Sequence, residues 1–231
     1  MSGDGRDGLS RSRPTAPADV LRRVAAGPLV PLLLAVALAL VTASVVLGGP
    51  TVRVDDTVFA LTPGDTAGPP VPRLLALLVV DLATPAVGVA VVLVVVGVLW
   101  WRTRRVGPLL VALPALAVLT ATVLLGKGVI DRAAPGFTTV LAQSGSYPSG
   151  HTATALVSAG VLAEIVSRLR PHRRRLAWVV VACWTLLVAL GLLWLHFHWL
   201  SDVVGSVLFG ALLLWLLLRW PWRLGERIAR H

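Results

Sequence analysis

Residues 28–47 run for twenty positions without a charged side chain. About twenty apolar residues in helical form span a hydrocarbon core of about 30 Å. Mostly apolar runs follow at 84–101, 107–126, 150–169, 176–195 and 202–219. Inside a bilayer each backbone N–H and C=O must be satisfied within the protein, so such runs become helices. The sequence therefore predicts an all-α polytopic membrane protein with six transmembrane helices. The stretch 74–101 is too long for one simple span and is interrupted by Asp81 and Pro85. It divides into a short outer helix near 74–82 and the span that starts near 84.

Composition agrees. Apolar residues make up 56 % of the chain and charged residues 14 %, against about 25 % charged in soluble domains. A soluble enzyme and a disordered chain are both excluded. Residues 1–26, rich in Gly, Ser, Pro, Arg and Asp, read as a disordered tail. Residues 27–220 form the membrane domain and 221–231 a basic C-terminal tail. The single cysteine, Cys183, excludes an intramolecular disulfide.

The net charge of +10 resolves into topology rather than nucleic-acid binding. Seventeen of the 21 basic residues fall in the N-terminal tail, the 2–3 and 4–5 connections and the C-terminal tail. Arg53, Arg73, Lys127 and Arg132 fall on the other side. By the positive-inside rule both termini are cytoplasmic and the 1–2, 3–4 and 5–6 connections face outward. Lys127 is the chain's one lysine.

The polar residues of the outward connections form three groups. The first is Lys127 and Arg132, at the outer end of span 3. They can bind a phosphate, or simply snorkel to the interface. The second is Pro148-Ser149-Gly150-His151, just before an apolar helix. Ser149 is suited to capping that helix, whose N-terminus presents free N–H groups to an anion. Gly150 allows close backbone approach, and His151 stands in the first turn. The alternative is a capped helix with an interfacial histidine. The third is His198 and Asp202, four apart. On a helix they share a face, so the carboxylate can orient one ring nitrogen and leave the other as a nucleophile. The alternative is an interfacial histidine beside a helix-terminal aspartate. Glu164 and Arg168 have the spacing of an ion pair.

Together these groups resemble the type 2 phosphatidic acid phosphatase family of membrane lipid phosphatases. The family signature is Lys, six residues, Arg-Pro; then Pro-Ser-Gly-His; then Ser-Arg, five residues, His, three residues, Asp. Lys127, Pro135, Pro148 to His151, His198 and Asp202 match it in order and spacing. Ala134 stands at the first-motif Arg, and Gly191-Leu192 stand at the Ser-Arg pair.

The resemblance implies a catalytic set of His198, His151 and Asp202. His198 attacks phosphorus, Asp202 orients and charges it, and His151 protonates the leaving oxygen and later activates water. Lys127, Ser149 and Gly150 bind the phosphoryl oxygens, and no metal or cofactor is required. Arg132 is expected to compensate for the missing arginines, with His196 in reserve. The implied partners are a lipid phosphate or diphosphate, of the polyprenyl diphosphate or phosphatidate class, and the bilayer of the cell membrane. A lipid phosphotransferase with the same His/His/Asp set is an alternative. A degenerate, non-catalytic lipid-binding member is another.

Overall fold

The computed structural model describes residues 27–64, 69–135 and 145–219. The expected tails at 1–26 and 221–231 lie outside the described residues. Among these residues eight α-helices run in order. They are α1 (Leu29–Val46), α2 (Pro50–Leu61), α3 (Pro70–Leu82), α4 (Pro85–Thr103), α5 (Gly107–Ile130), α6 (Gly150–Leu169), α7 (Arg174–Trp194) and α8 (Leu200–Arg219). A 3-10 turn, Pro171–Arg173, leads into α7. Six of the helices, α1 and α4 to α8, are long and apolar enough to cross a membrane. The six expected spans are all present.

α6 is the centre of the bundle and packs against α4, α5, α7 and α8. Its buried positions include Thr152, Ala153, Thr154, Ala155, Ser158 and Gly160. Lipid supplies no hydrophobic drive between helices, so small and hydroxylated residues gather where backbones approach closely. α1, by contrast, buries no residue fully and rests on α8 and α2. Leu32, Leu33, Val36 and Leu40 form its exposed face, which suits contact with lipid. The main core joins α4, α5, α6 and α8 through Val92, Val96, Leu119, Val157, Val161 and Leu213.

A second core holds α3 against α7 through Val80, Val188, Leu192 and Leu195. Gly191 makes that approach close, because a Cβ there would lie 3.1 Å from Val80 Cγ2 and 3.4 Å from the Ala76 carbonyl. The Glu164–Arg168 pair forms, with Nη2 to Oε1 at 2.7 Å.

The structure corrects the sequence reading in four places. α2 was not anticipated. It starts straight after Gly48-Gly49 with Pro50 in its first turn, a favoured position for proline. α3 begins at Pro70 rather than near 74. α5 continues to Ile130, so Lys127 lies within its last turn. His198 is not on a helix with Asp202, because α8 starts only at Leu200.

Candidate active site

Four connected segments meet at one end of the bundle: α2, the end of α5, the start of α6 and the 195–202 turn. The α6 start is built as expected. Ser149 has an extended backbone and its Oγ accepts the Thr152 N–H at 3.3 Å. This is an N-cap, and it leaves the Gly150 and His151 N–H groups without a partner inside the helix. Ser206 ties this loop to α8, donating from Oγ toward the Ser149 carbonyl at 3.0 Å and the Asp202 carbonyl at 2.7 Å.

Tyr147 comes just before and is buried. Its hydroxyl lies 2.7 Å from Thr42 Oγ1 on α1. Burial pushes the phenol above its ordinary value, so it stays neutral. Gly205 makes room for it, since a Cβ there would meet the Tyr147 hydroxyl.

His198 and Asp202 pair although a turn separates them. Nδ1 of His198 lies 3.3 Å from Asp202 Oδ2. The same oxygen accepts the Trp199 N–H at 3.1 Å. Asp202, in the first turn of α8, thus reaches back over its own helix start, as the acidic half of a capping box does. The fold uses one residue both to begin the helix and to orient the histidine. Asp202 is fully buried and His198 nearly so. With Nδ1 directed at the carboxylate, Nε2 is the nitrogen left for chemistry. The His151 ring lies opposite, with its centroid 6.4 Å from that of His198 and the planes at 62°. Two imidazoles at this spacing can both contact one phosphoryl group.

Arg132 occupies an unexpected position. Nη1 donates to Asp202 Oδ1 at 2.7 Å and to Ser201 Oγ at 2.6 Å. Nη2 donates to Asp55 Oδ2 at 2.6 Å. The guanidinium lies over the Trp199 ring, 5.2 Å from its centroid. Its main partners are therefore two buried carboxylates. Lys127, half-buried, donates from Nζ to the Gly145 carbonyl at 2.6 Å.

His196, the reserve candidate, belongs to the scaffold. Its Nε2 lies 2.7 Å from Thr62 Oγ1 and its ring stacks on Phe59 at 3.9 Å. Leu192, at the missing Arg position, is fully buried in the second apolar core. Among the described residues no group of three His, Cys, Asp or Glu side chains is placed to hold a metal ion.

The residue missed by sequence reading is Asp55. It is 1 % exposed. Its Oδ1 accepts the Ser201 N–H at 2.7 Å and its Oδ2 accepts the Ser201 hydroxyl at 2.6 Å.

The chain is similar in structure to a transmembrane PAP2-type phosphatidylglycerolphosphate phosphatase from Bacillus subtilis. The TM-score is 0.68 at 19 % sequence identity, over 81 % of this chain and 93 % of that one. That likeness establishes the fold. No curated protein matches the chain significantly. A family model, the PAP2 superfamily, matches residues 108–226, which include Lys127, the Pro148–His151 segment, His198 and Asp202. With more than half its length inside that match, the chain belongs to the PAP2 superfamily.

Proposed function

We propose that this protein is an integral-membrane phosphatase that hydrolyses a lipid phosphate or diphosphate through a phosphohistidine. The observation that carries the reading is the His198–Asp202 pair facing His151 at the capped start of α6. In the first step His198 Nε2 bonds to phosphorus, the P–O bond to the lipid breaks, and protonated His151 gives its proton to the leaving oxygen. In the second step His151, now neutral, takes a proton from water. The oxygen of that water bonds to phosphorus and the P–N bond breaks, which restores His198.

The carboxylate of Asp202 holds the ring and offsets the positive charge that develops on it. The N–H groups at Gly150 and His151, the Ser149 side chain and the Lys127 ammonium stabilise charge on the phosphoryl oxygens. Two N–H groups of Arg132, one on Nη2 and that on Nε, lie outside its bonds to Asp55, Ser201 and Asp202. Through these Arg132 can also serve the phosphate.

The helix contacts supply the lipid side. An apolar groove of about 600 Å³ lies between α1 and α8, lined by Ala35, Leu38, Ala39 and Leu212 and reaching Thr42, the partner of Tyr147. A hydrocarbon chain can lie there while the headgroup enters the site. The arginine bias toward the opposite connections supports an outward-facing site. Polyprenyl diphosphate and phosphatidate are the substrate classes favoured. Phosphatidylglycerophosphate, the substrate class named for the structural relative, belongs in the same panel.

The test is phosphate release from these lipids by the purified protein, with His198→Ala as control. Release by the wild type alone is expected. Equal release by both proteins overturns the nucleophile assignment. A new phospholipid in place of free phosphate identifies a transferase. No turnover of any lipid leaves a binding protein.

A further inference from the structure

Asp55 lies outside every motif of the family signature, yet it makes three of the shortest bonds at this end of the bundle. The α2 helix carries it over the start of α8. There it accepts the Ser201 N–H, so it satisfies a free N–H of that helix from a neighbouring one. It also accepts the Ser201 hydroxyl and Arg132 Nη2.

The guanidinium is planar. One amino group is held by Asp55 and the other by Asp202, so the two carboxylates together fix its plane and position. Trp199 closes one face. Two carboxylates share one guanidinium, which leaves one negative charge in excess beside His198. That excess opposes the positive charge the ring gains when Nε2 attacks. Were Asp202 the single partner of Arg132, the guanidinium would cancel the charge that His198 needs.

We propose that Asp55 is a positioning residue, holding Arg132 so that Asp202 keeps both its geometry and its charge toward His198. The catalytic consequence rests on the phosphatase reading above; the link from Asp55 to His198 does not. α2 is thereby part of the site rather than a cover for it. A second set of contacts places α2 in the same way: Phe59 and Thr62 hold His196, two residues before His198.

The test uses the full chain in detergent with Asp55→Asn, which keeps shape and removes charge, and Asp55→Glu, which keeps charge. With a lipid-phosphate substrate, kcat falls about a hundredfold in Asp55→Asn with KM unchanged, the scale of a small misplacement of reacting groups. Asp55→Glu recovers part of the loss. Asp55→Asn combined with Arg132→Gln is no slower than Arg132→Gln alone, because the two residues act as one unit.

Independently of turnover, the ¹⁵N side-chain resonances of His198 shift in Asp55→Asn while those of His172 stay in place. A lowered melting temperature with unchanged kcat would make Asp55 a staple for α2 and overturn the proposal. So would a fall in kcat with unshifted His198 resonances. A wild-type protein that releases no phosphate, but whose His198 resonances respond to Asp55→Asn, would retain the link and defeat the phosphatase reading instead.

Discussion

Arg132 donates to Asp202 across 2.7 Å although seventy residues separate them in sequence. This bond joins the end of α5 to the start of α8. The second amino group of Arg132 needs a partner in a different direction, which α2 supplies as Asp55. A lysine at 132 would retain the charge but could not span both carboxylates. Arg132→Lys is expected to lower kcat roughly tenfold to a hundredfold through loss of alignment. Steady-state kinetics on a lipid phosphate checks this. A loss confined to KM would instead mark Arg132 as chiefly a phosphate ligand.

Asp202→Asn tests the charge of the orienting residue. The asparagine fits the same space, and its oxygen can still accept the Trp199 N–H. In that orientation its N–H₂ faces the Arg132 donor, and the negative charge is removed. In a serine protease triad the equivalent exchange costs about 10⁴ in kcat. A fall on the order of 10³ or more is expected here, read as phosphate release per folded protein. A loss below tenfold would remove Asp202 from the catalytic set.

In the proposed mechanism His151 serves the leaving group, and that role can be separated from the attack. With a lipid substrate, His151→Gln should release almost no phosphate. An aryl phosphate whose leaving group needs no proton should still phosphorylate His198. The expected signature is a burst of phenolate equal to the enzyme concentration, then slow turnover, because water now lacks its base. The trapped adduct should be labile in acid and absent from His198→Ala. Steady turnover without a burst would contradict the assigned role.

Most of the fold was legible because the membrane makes span length a strong signal. The site was legible where one short segment holds its own geometry: Ser149 capping α6, or Asp202 reaching back to Trp199 and His198. Asp55 was not legible, because its partners lie 77 and 146 residues away. Two adjacent carboxylates, Asp55 and Asp56, between Val54 and Val58 were the only local sign, and nothing in the sequence distinguishes one from the other. The helical assumption for His198 failed because Asp202 reaches the ring across a turn instead. The sequence favoured Arg132 as the compensating cation and kept His196 in reserve. The structure separates them, since His196 is held by Thr62 while Arg132 lies on Asp202.

Ala134 is half-buried, two residues after Arg132, and stands at the first-motif arginine position of the family signature. Its neighbour Ala133 accepts the Trp199 indole N–H at 2.8 Å, which fixes the backbone there beside the site. An arginine at 134 would bring a further forked donor to this region without displacing Arg132. Ala134→Arg is expected to raise kcat/KM about tenfold, a conservative share of what one transition-state donor contributes. An unchanged or lower kcat/KM would show that the phosphate seat does not extend to this position.

The other missing arginine should behave in the opposite way. Leu192 has no exposed surface and packs among Val80, Val188 and Leu195, where α3 lies close against α7. The close approach of Gly191 to Val80 and Ala76 leaves little room beside this position. An arginine there would bury its charge without a carboxylate partner and would be too large for the space. An uncompensated buried charge costs about 3–5 kcal/mol. Leu192→Arg should therefore lower the melting temperature in detergent and reduce activity along with the folded fraction. A folded Leu192→Arg protein with raised turnover would show that α3 moves aside, and that this position still opens onto the phosphate.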